Sequence, residues 1–347
     1  MKGQESSGNR ASCNEKMKKS CMNILKTFLF PIVMWIFFAL LIQTKAGDNI
    51  YVSLASIKDI FQTSALSVII AIAVALPLSG GRWDFAPGSI MVVTGIIAGN
   101  ITVKYNLGLA GLVVLSLAIA VILSLFEGMV YIAFRVPTMI VSLGVVMLYE
   151  SLSGLLFNGS GIRLFMYGNL SILASQPYCY MIMALVLLVF YVIMKYTKFG
   201  FDSRSLGNHA LLAVNNGVNE KKNILLTYLI VGLFLGVAAI LNASKAVVTP
   251  EANLSSTNLM FSSMGAVLVG LYLSRFSNMS LGLLSGTIAM ASLSKGLTVY
   301  GMPSSLNNII LGIFIITFMG YTTNQNIIKN FFRSNKETYI RGGSHDK

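Results

Sequence analysis

The sequence is short of charged residues, cysteines and histidines, and each shortage excludes a class of protein. Charged residues make up 11% of the 347 residues, whereas a soluble domain averages roughly 25%, so a sizeable aqueous domain is excluded. The 3 cysteines provide neither a disulfide framework nor the spacing of a metal site. The two histidines, His209 and His345, lie in a loop and in a tail without clustered Cys, Asp or Glu, so we predict no metal site.

The motifs of an enzyme are missing as well. No Gly-x-x-x-x-Gly-Lys-Ser/Thr phosphate loop is present, so we expect no ATP site in this chain. No Ser-His-Asp constellation can be assembled from the apolar segments, so we predict neither catalytic residues nor a cofactor. The 18 methionines and 20 phenylalanines suit buried and lipid-facing helix surfaces.

Long apolar segments dominate what is present, since 55% of the residues are hydrophobic. A hydrocarbon core of roughly 30 Å needs about 20 apolar residues as a helix, which satisfies its own backbone hydrogen bonds. The sequence therefore predicts an all-α fold, a polytopic bundle of transmembrane helices. The ten predicted spans are residues 28–42, 62–80, 87–103, 107–133, 137–157, 178–195, 224–241, 259–275, 279–294 and 306–323.

The basic residues predict the orientation of these spans. If both tails are cytoplasmic, 19 of the 25 Lys and Arg residues lie inside, as the positive-inside rule requires. The six on the outer side are Lys45, Lys58, Lys104, Arg163, Lys245 and Lys295. The net charge of +13 therefore indicates topology and not nucleic-acid binding.

This topology divides the chain into three parts. We predict a basic cytoplasmic tail at 1–27, a transmembrane domain at 28–323 and a second cytoplasmic tail at 324–347. Residues 28–42 would form a retained helix, since no small-residue cleavage signal accompanies them. Five spans plus five would allow an inverted repeat, because an odd number per half reverses the second half.

Glycine pairs predict close helix packing. Gly-x-x-x-Gly occurs at Gly95/Gly99, Gly232/Gly236 and Gly282/Gly286, inside three different spans. Small residues at this spacing let helix backbones approach each other within a membrane.

The only long cytoplasmic interruption is the loop at 196–223. A short helical patch, Ala210–Val214, lies in it between Gly207 and Gly217. Its apolar side chains are Leu211, Leu212 and Val214. Such a helix suits docking into a groove on another protein; the alternative is a helix lying on the membrane surface.

Three passages carry a family resemblance. They are Gly80–Ser89 (GGRWDFAPGS), the stretch from Gly128 to Gly144 that contains Arg-Val-Pro at 135–137, and Phe199-Gly200 followed by the glycines at 207 and 217. Together they resemble the permease subunits of the ribose, xylose and galactose type of bacterial ABC importer, a group that includes autoinducer-2 permeases. The resemblance covers about residues 60–320.

The resemblance implies a set of partners and a function. It implies a permease in the bacterial plasma membrane that pairs with a second permease copy or paralogue. Such a permease imports a small polar solute, here expected to be a monosaccharide, by alternating access. It also implies an ATP-binding cassette ATPase inside and a substrate-binding protein outside. The residues that would couple to the ATPase are Gly207, Asn208, Leu211, Leu212, Ala213, Val214 and Gly217.

Several residues depart from the family pattern. Glu127 stands where the family usually has Asn, and Glu150 where it commonly has Arg. Acidic family positions are occupied by Ala210 and Leu211 in the loop, and by Met260 and Ser262 near the eighth span.

Three acidic residues are candidates for the translocation path, because a charge inside a membrane is costly and usually functional. Glu150 lies about 20 Å beyond Pro137 at 1.5 Å per residue, which favours a side chain facing the bundle or a polar path. Glu127 could instead face the cytoplasmic interface. Since the depths of these two differ by about 10 Å, we expect no pairing between them. For Asp84, a salt bridge with Arg82 or a helix cap is the expected role.

Other functions fit the same residues. Within the same class, a nucleoside or branched-chain amino acid importer shares the architecture. A proton-coupled secondary transporter would use Glu127 and Glu150 to carry protons and would need no docking loop. A membrane scaffold without transport is disfavoured by the intramembrane acids.

Overall fold

The fold is helical throughout the described part of the chain. The computed structural model describes residues 2–46, 50–134 and 136–324. Its helices are α1 (Lys2–Ala46), α2 (Leu54–Ser79), α3 (Pro87–Tyr105), α4 (Gly108–Phe134), α5 (Thr138–Leu155), α6 (Gly168–Ser171), α7 (Tyr178–Tyr196), α8 (Lys198–Asn215), α9 (Glu220–Lys245), α10 (Thr257–Leu273), α11 (Met279–Val299) and α12 (Ser304–Thr323). Within those residues no strand forms, and an isolated antiparallel bridge joins Ile162 to Val248.

The protein is a multi-pass helical membrane protein. Seven helices of the described residues are long and apolar enough to cross a membrane. They are α2, α3, α4, α7, α9, residues 22–44 of α1, and the segment at 138–159 that contains α5. A helix also occupies each of the remaining predicted spans, namely α10, α11 and α12, but these do not reach that threshold. The count of ten spans therefore stays a prediction. Arg135 and the predicted tail beyond Asn324 lie outside the described residues.

Several helices extend beyond the apolar segments that predicted them. The second begins at Leu54, before the predicted start at residue 62, because Ser53 caps it by accepting a hydrogen bond from the Ser56 N–H at 3.2 Å. Asn219 caps α9 in the same way, accepting from the Lys222 N–H at 3.0 Å. Such polar first turns satisfy free N–H groups outside the hydrocarbon, and hydropathy alone does not detect them.

Two of the three glycine pairs bring helix backbones together. A Cβ atom at Gly232 or Gly236 of α9 would lie 2.6 or 2.9 Å from the Cα atoms of Val121 and Leu117 in α4. Likewise, a Cβ at Gly282 or Gly286 of α11 would lie 2.4 Å from a backbone oxygen of α10. The prediction of close packing is confirmed for these pairs.

The third pair behaves differently. A Cβ at Gly95 would meet nothing closer than 3.8 Å, and Gly99 packs against the side chain of Ile162, 2.7 Å from such a Cβ. Gly95 therefore lies in ordinary contact with α9, where the Ala239 carbonyl oxygen is 3.9 Å from such a Cβ. Gly99 faces a loop side chain, so the close backbone approach found at the other two pairs is not found here.

Helices α2 and α9 form the centre of the bundle. Helix α4 packs on α9 and α11 packs on α2, while α3 contacts α4 and α9 and α10 contacts α11 and α2. The contacts therefore come in matching pairs. If α2, α3 and α4 correspond to α9, α10 and α11 in that order, each contact made by one set has its counterpart in the other. Helix α7 packs on α2, and α1 packs on α11.

Candidate functional site

The first turns of α3 and α10 meet inside the bundle. A Cβ on Gly88, at the start of α3, would lie 2.1 Å from the carbonyl oxygen of Ser256, which precedes α10. Only glycine can be accommodated at this approach. Because the first N–H groups of a helix lack intrahelical partners and carry partial positive charge, the junction favours negative groups nearby.

Glu150 of α5 satisfies the start of α10. Its carboxylate accepts the Leu254 N–H at 2.8 Å, the Ser256 N–H at 2.9 Å and the Ser256 hydroxyl at 2.7 Å. The side chain is 4% exposed. It faces protein, and three donors together with the helix dipole offset the cost of a carboxylate within the membrane.

Asp84 and Glu127 lie together at the start of α3. One Asp84 oxygen accepts the Ala86 N–H at 2.9 Å, which closes an Asx turn just before α3. The N-cap of α3 is Ala86 and no side chain caps this helix, so the prediction of a helix cap at Asp84 is wrong. The Glu127 carboxyl is 0% exposed and faces that of Asp84. Within the described residues, neither Glu127 oxygen nor the second Asp84 oxygen has a hydrogen-bond partner. Two such carboxyl groups can bond to each other only if one of them carries a proton.

The structure therefore separates the three predicted acidic residues into two places. Glu150 does not pair with Glu127, as expected, and Glu127 is buried beside Asp84 and does not face the interface. Within the described chain, Arg82 forms no ion pair with Asp84. The alternative role of Asp84 as a salt-bridge partner is thus wrong, because the guanidinium is held elsewhere.

Arg82 instead joins the α2–α3 loop to α8 and the start of α9. Its guanidinium donates twice to the Asn223 side-chain oxygen, at 3.3 Å each, and the Asn223 amide donates to the Ser203 hydroxyl at 3.0 Å. All three side chains are buried. Neither Asn223 nor Ser203 stands out in the sequence, since one polar residue at a span end gives no pairing signal.

Helix α8 is held against the end of α2 by a glycine. A Cβ at Gly207 would lie 2.1 Å from the carbonyl oxygen of Ser79. The sequence predicts a helix at 210–214, but α8 begins at Lys198, because the Thr197 hydroxyl accepts the Gly200 N–H at 3.3 Å. Burial of Phe199, Ser203 and Leu206 anchors this first segment.

The second segment of α8 follows an extended residue, His209 (φ −151°, ψ 92°), and contains the predicted apolar patch. Leu211 is 83% and Leu212 59% exposed; Val214 is exposed too, whereas Ala213 is buried. Asn208 lies beside the bend, and Gly217 ends the loop in a left-handed conformation (φ 87°). The apolar side chains thus have no cover within the described chain.

Three aromatic residues, Trp83, Phe85 and Phe261, lie beside the junction. Phe85 precedes α3, and its ring lies 5.7 Å from the ring of Phe261 in α10. Trp83 and Phe261 are exposed. The junction can therefore be approached from this side past aromatic faces, of the kind on which sugar rings and other planar or apolar surfaces pack.

Comparison with known proteins places these features in a family. Residues 56–319 match the family described as the permease component of the branched-chain amino acid transport system. The match includes α2 to α11 and most of α12, hence the junction, the acidic residues and α8.

Individual relatives are distant but cover most of the chain. The galactofuranose transporter permease protein YtfT of Escherichia coli (strain K12) is 24% identical over 268 residues, 74% of this chain and 76% of that protein. The autoinducer 2 import system permease protein LsrC of Photorhabdus luminescens is 23% identical over 280 residues, 78% and 83%. The ribose import permease protein RbsC of Escherichia coli (strain K12) is 22% identical over 276 residues, 77% and 85%.

Proposed function

The chain belongs to the family of permease components of the branched-chain amino acid transport system, and from that premise we propose that it imports a monosaccharide across the bacterial inner membrane. The observation that carries the substrate class is the set of relatives, whose names specify galactofuranose, ribose and autoinducer 2. Since each aligns over about three quarters of the chain, the proposal concerns the whole transmembrane domain.

A separate ATPase would supply the energy. The exposed apolar side chains of α8, with Leu211 at 83% exposure, support docking of this helix into a groove on a cytoplasmic partner. Apolar anchors of this kind supply most of the binding energy of a helix in a groove. The first segment of α8, fixed by Gly207 and Ser203, would transmit the movement.

The link through Arg82 suggests how that movement reaches the junction. Displacement of α8 would pull Ser203, then Asn223 and Arg82, and so the loop that carries Asp84 and the start of α3. Helix α10, tied to α5 by Glu150, would remain in place. Relative movement of the two first turns would open the path alternately to either side.

The path itself would pass the aromatic group of Trp83, Phe85 and Phe261, with Asp84, Glu127 and Glu150 behind it. A second permease copy or paralogue would close the path from the other side, and a substrate-binding protein would deliver the solute outside. Exposure of Trp83 and Phe261 supports this placement, since large aromatic side chains beside a polar junction suit a buried interface or path.

The topology proposed with this function has ten spans and both tails in the cytoplasm. Helix α10 is apolar but short, at 17 residues. Helix α11 is low in hydropathy because several of its residues are Gly and Ser that face other helices, and a protein-facing helix needs no lipid-facing surface. The mirrored contacts of α2–α4 and α9–α11 support an inverted repeat.

Cysteine labelling tests the orientation. Ser203 is unsuitable because it is buried, so Ser205 and Ser160, both exposed, are the positions to use. In intact cells, a membrane-impermeant thiol reagent should label Ser160→Cys and spare Ser205→Cys. The opposite pattern would overturn the orientation.

Uptake by proteoliposomes tests the function. The complex co-purified with its ATPase and binding protein should accumulate labelled monosaccharides only with ATP. Uptake of branched-chain amino acids instead would favour the second candidate, which the family description supports. Uptake driven by a proton gradient without ATP would favour a secondary transporter, with the Asp84–Glu127 pair and not the fully bonded Glu150 as the proton carrier.

A further inference from the structure

A polar cavity lies at the base of α8, away from the junction of α3 and α10. It has a volume of about 360 Å³ and lies between the end of α7, the start of α8 and the turn from α10 to α11. Its polar lining includes Lys195, Arg204, Ser277, Asn278 and Ser280. The proposed transport mechanism uses none of these residues.

The cavity is positively charged without a counter-ion, since no acidic side chain lines it. Arg204 donates to the carbonyl oxygens of Gly200 and Met194, at 3.1 Å each. These bonds fix the guanidinium and leave three of its five N–H donors free. Lys195 donates one hydrogen bond to the Tyr191 hydroxyl, which leaves two ammonium protons for another acceptor.

The start of α11 adds further donors. Its first turn contains no acidic residue, and the side chain of Asn278, at the N-cap, makes no capping hydrogen bond. The first backbone N–H groups of this helix therefore lack the side-chain acceptor that usually satisfies them.

Ser280 provides the independent sign of a ligand. Its side chain is 5% exposed and lines the cavity. Its hydroxyl makes no hydrogen bond to the described residues and is not enclosed by protein, so the oxygen is open to the cavity and can donate to a group bound there. Here it faces a space surrounded by two cations and a helix N-terminus, a combination of donors that matches an oxyanion.

We propose that this cavity binds a phosphate group. Arg204 and Lys195 would contact its oxygens from one side, and Ser280 with the start of α11 from the other. The bound group would connect α7 and α8 to the α10–α11 turn, and so stiffen the base of the helix that carries Leu211. The phosphate could belong to an anionic phospholipid headgroup at the membrane surface or to a soluble phosphate compound.

Two probes distinguish these sources in the purified full-length protein. In nanodiscs, phosphatidylglycerol is titrated into phosphatidylcholine; separately, inorganic phosphate is added to phosphatidylcholine nanodiscs. Binding is read as the rise in unfolding temperature and, for lipid, by native mass spectrometry. A response to phosphatidylglycerol alone assigns a headgroup, and a response to inorganic phosphate assigns a soluble ligand.

Three variants locate the response. Removing one charge, as in Arg204→Gln or Lys195→Gln, should weaken binding about five-fold, and removing both about 25-fold, at roughly the energy of one basic residue near a membrane surface. Lys198→Gln is the control, because Lys198 lies on the same helix but lines a different pocket. It should bind like the wild type.

A further variant, Asn278→Asp, tests binding without the risk that the protein misfolds. The change is nearly isosteric, Asp is a favoured N-cap residue, and its carboxylate would occupy the position of the anion. It should keep or raise the unfolding temperature while reducing binding at least five-fold. If neither probe binds, or if Asn278→Asp and the double variant bind both probes as the wild type does, the proposal is wrong.

Discussion

At the start of α10 the Glu150 carboxylate accepts three hydrogen bonds, whereas at the start of α3 the Glu127 carboxyl accepts none within the described residues. Both groups are buried, and both lie beside a helix start at the same junction. The difference is that Glu150 meets free backbone N–H groups, while Glu127 meets another acid, Asp84.

Two carboxyl groups of the same chemistry thus affect the stability of their helix starts differently. Glu150 fixes the loop before α10 to α5, because each of its donors would otherwise be unsatisfied in a low-dielectric interior. Glu127 accepts no hydrogen bond from a backbone donor, and the polar group that faces it is the Asp84 carboxyl, which can bond to it only when one of the two carries a proton. A buried acid in this position stabilises its surroundings less than one that is fully hydrogen-bonded. We infer that the α10 side of the junction is rigid and that the α3 side, joined to α8 through Arg82, is the side that moves.

The largest effect should follow from removing the Glu150 acceptor. Glu150→Leu leaves the buried N–H groups of Leu254 and Ser256 without a partner, at about 1–3 kcal/mol for each. We expect the free energy of unfolding to fall by roughly 2–6 kcal/mol, measured by thermal unfolding in detergent. Glu150→Gln keeps one accepting oxygen and should lie between Leu and the wild type.

A nearby acid provides the control. The Glu251 side chain accepts a hydrogen bond only from the Ser255 hydroxyl among the described residues, so Glu251→Gln should cost less than about 1 kcal/mol. If Glu150→Leu unfolded at the wild-type temperature, the three hydrogen bonds would not anchor the loop. The conclusion that the α10 side of the junction is the rigid side would then be wrong.

A smaller effect is expected on the exposed half of α8. The double change Leu211→Asp with Leu212→Asp removes two apolar anchors, each worth roughly 1–3 kcal/mol in such an interface. The unfolding temperature should stay the same, since both side chains are exposed, while co-purification with the ATPase is lost. Val247→Asp, which replaces an exposed apolar residue of the α9–α10 loop, should leave the ATPase bound.

Wild-type amounts of ATPase with the double variant would show that this segment is not the coupling element. The movement inferred for the α3 side of the junction would then have no source, because α8 is the link to the ATPase that we propose.

The sequence predicts the membrane helices because these obey a hydropathy rule that needs no tertiary information, and seven of the predicted spans coincide with helices long and apolar enough to cross a membrane. It places Glu150 correctly inside the bundle, since the distance from Pro137 fixes its depth at about 20 Å. It cannot name Leu254 and Ser256 as partners, because their contact with Glu150 joins residues more than a hundred positions apart through backbone donors.

The failures at Asp84 have the same origin. Sequence proximity suggests Arg82 as its partner, but the guanidinium reaches Asn223, at the start of α9. Hydropathy also cannot predict that Asp84 lies beside Glu127, because this contact forms only when the α2–α3 loop packs against α4. Such pairings depend on how α2, α4 and α9 cross, which local patterns do not specify.

The smallest and most diagnostic effect concerns Glu127 itself. Glu127→Gln supplies an amide N–H₂ that can donate to the free oxygen of Asp84, so the free energy of unfolding should rise by about 0.5–1.5 kcal/mol, the reverse of the effect of Glu150→Gln. Asp84→Asn should act similarly, since its oxygen can still accept the Ala86 N–H. Because either change relieves the same conflict, the double variant should gain no more than one single variant, and a double-mutant cycle measures this non-additivity. Two single variants that both lower the unfolding temperature would mean that the acids are already satisfied, and the mobile side of the junction would need another explanation.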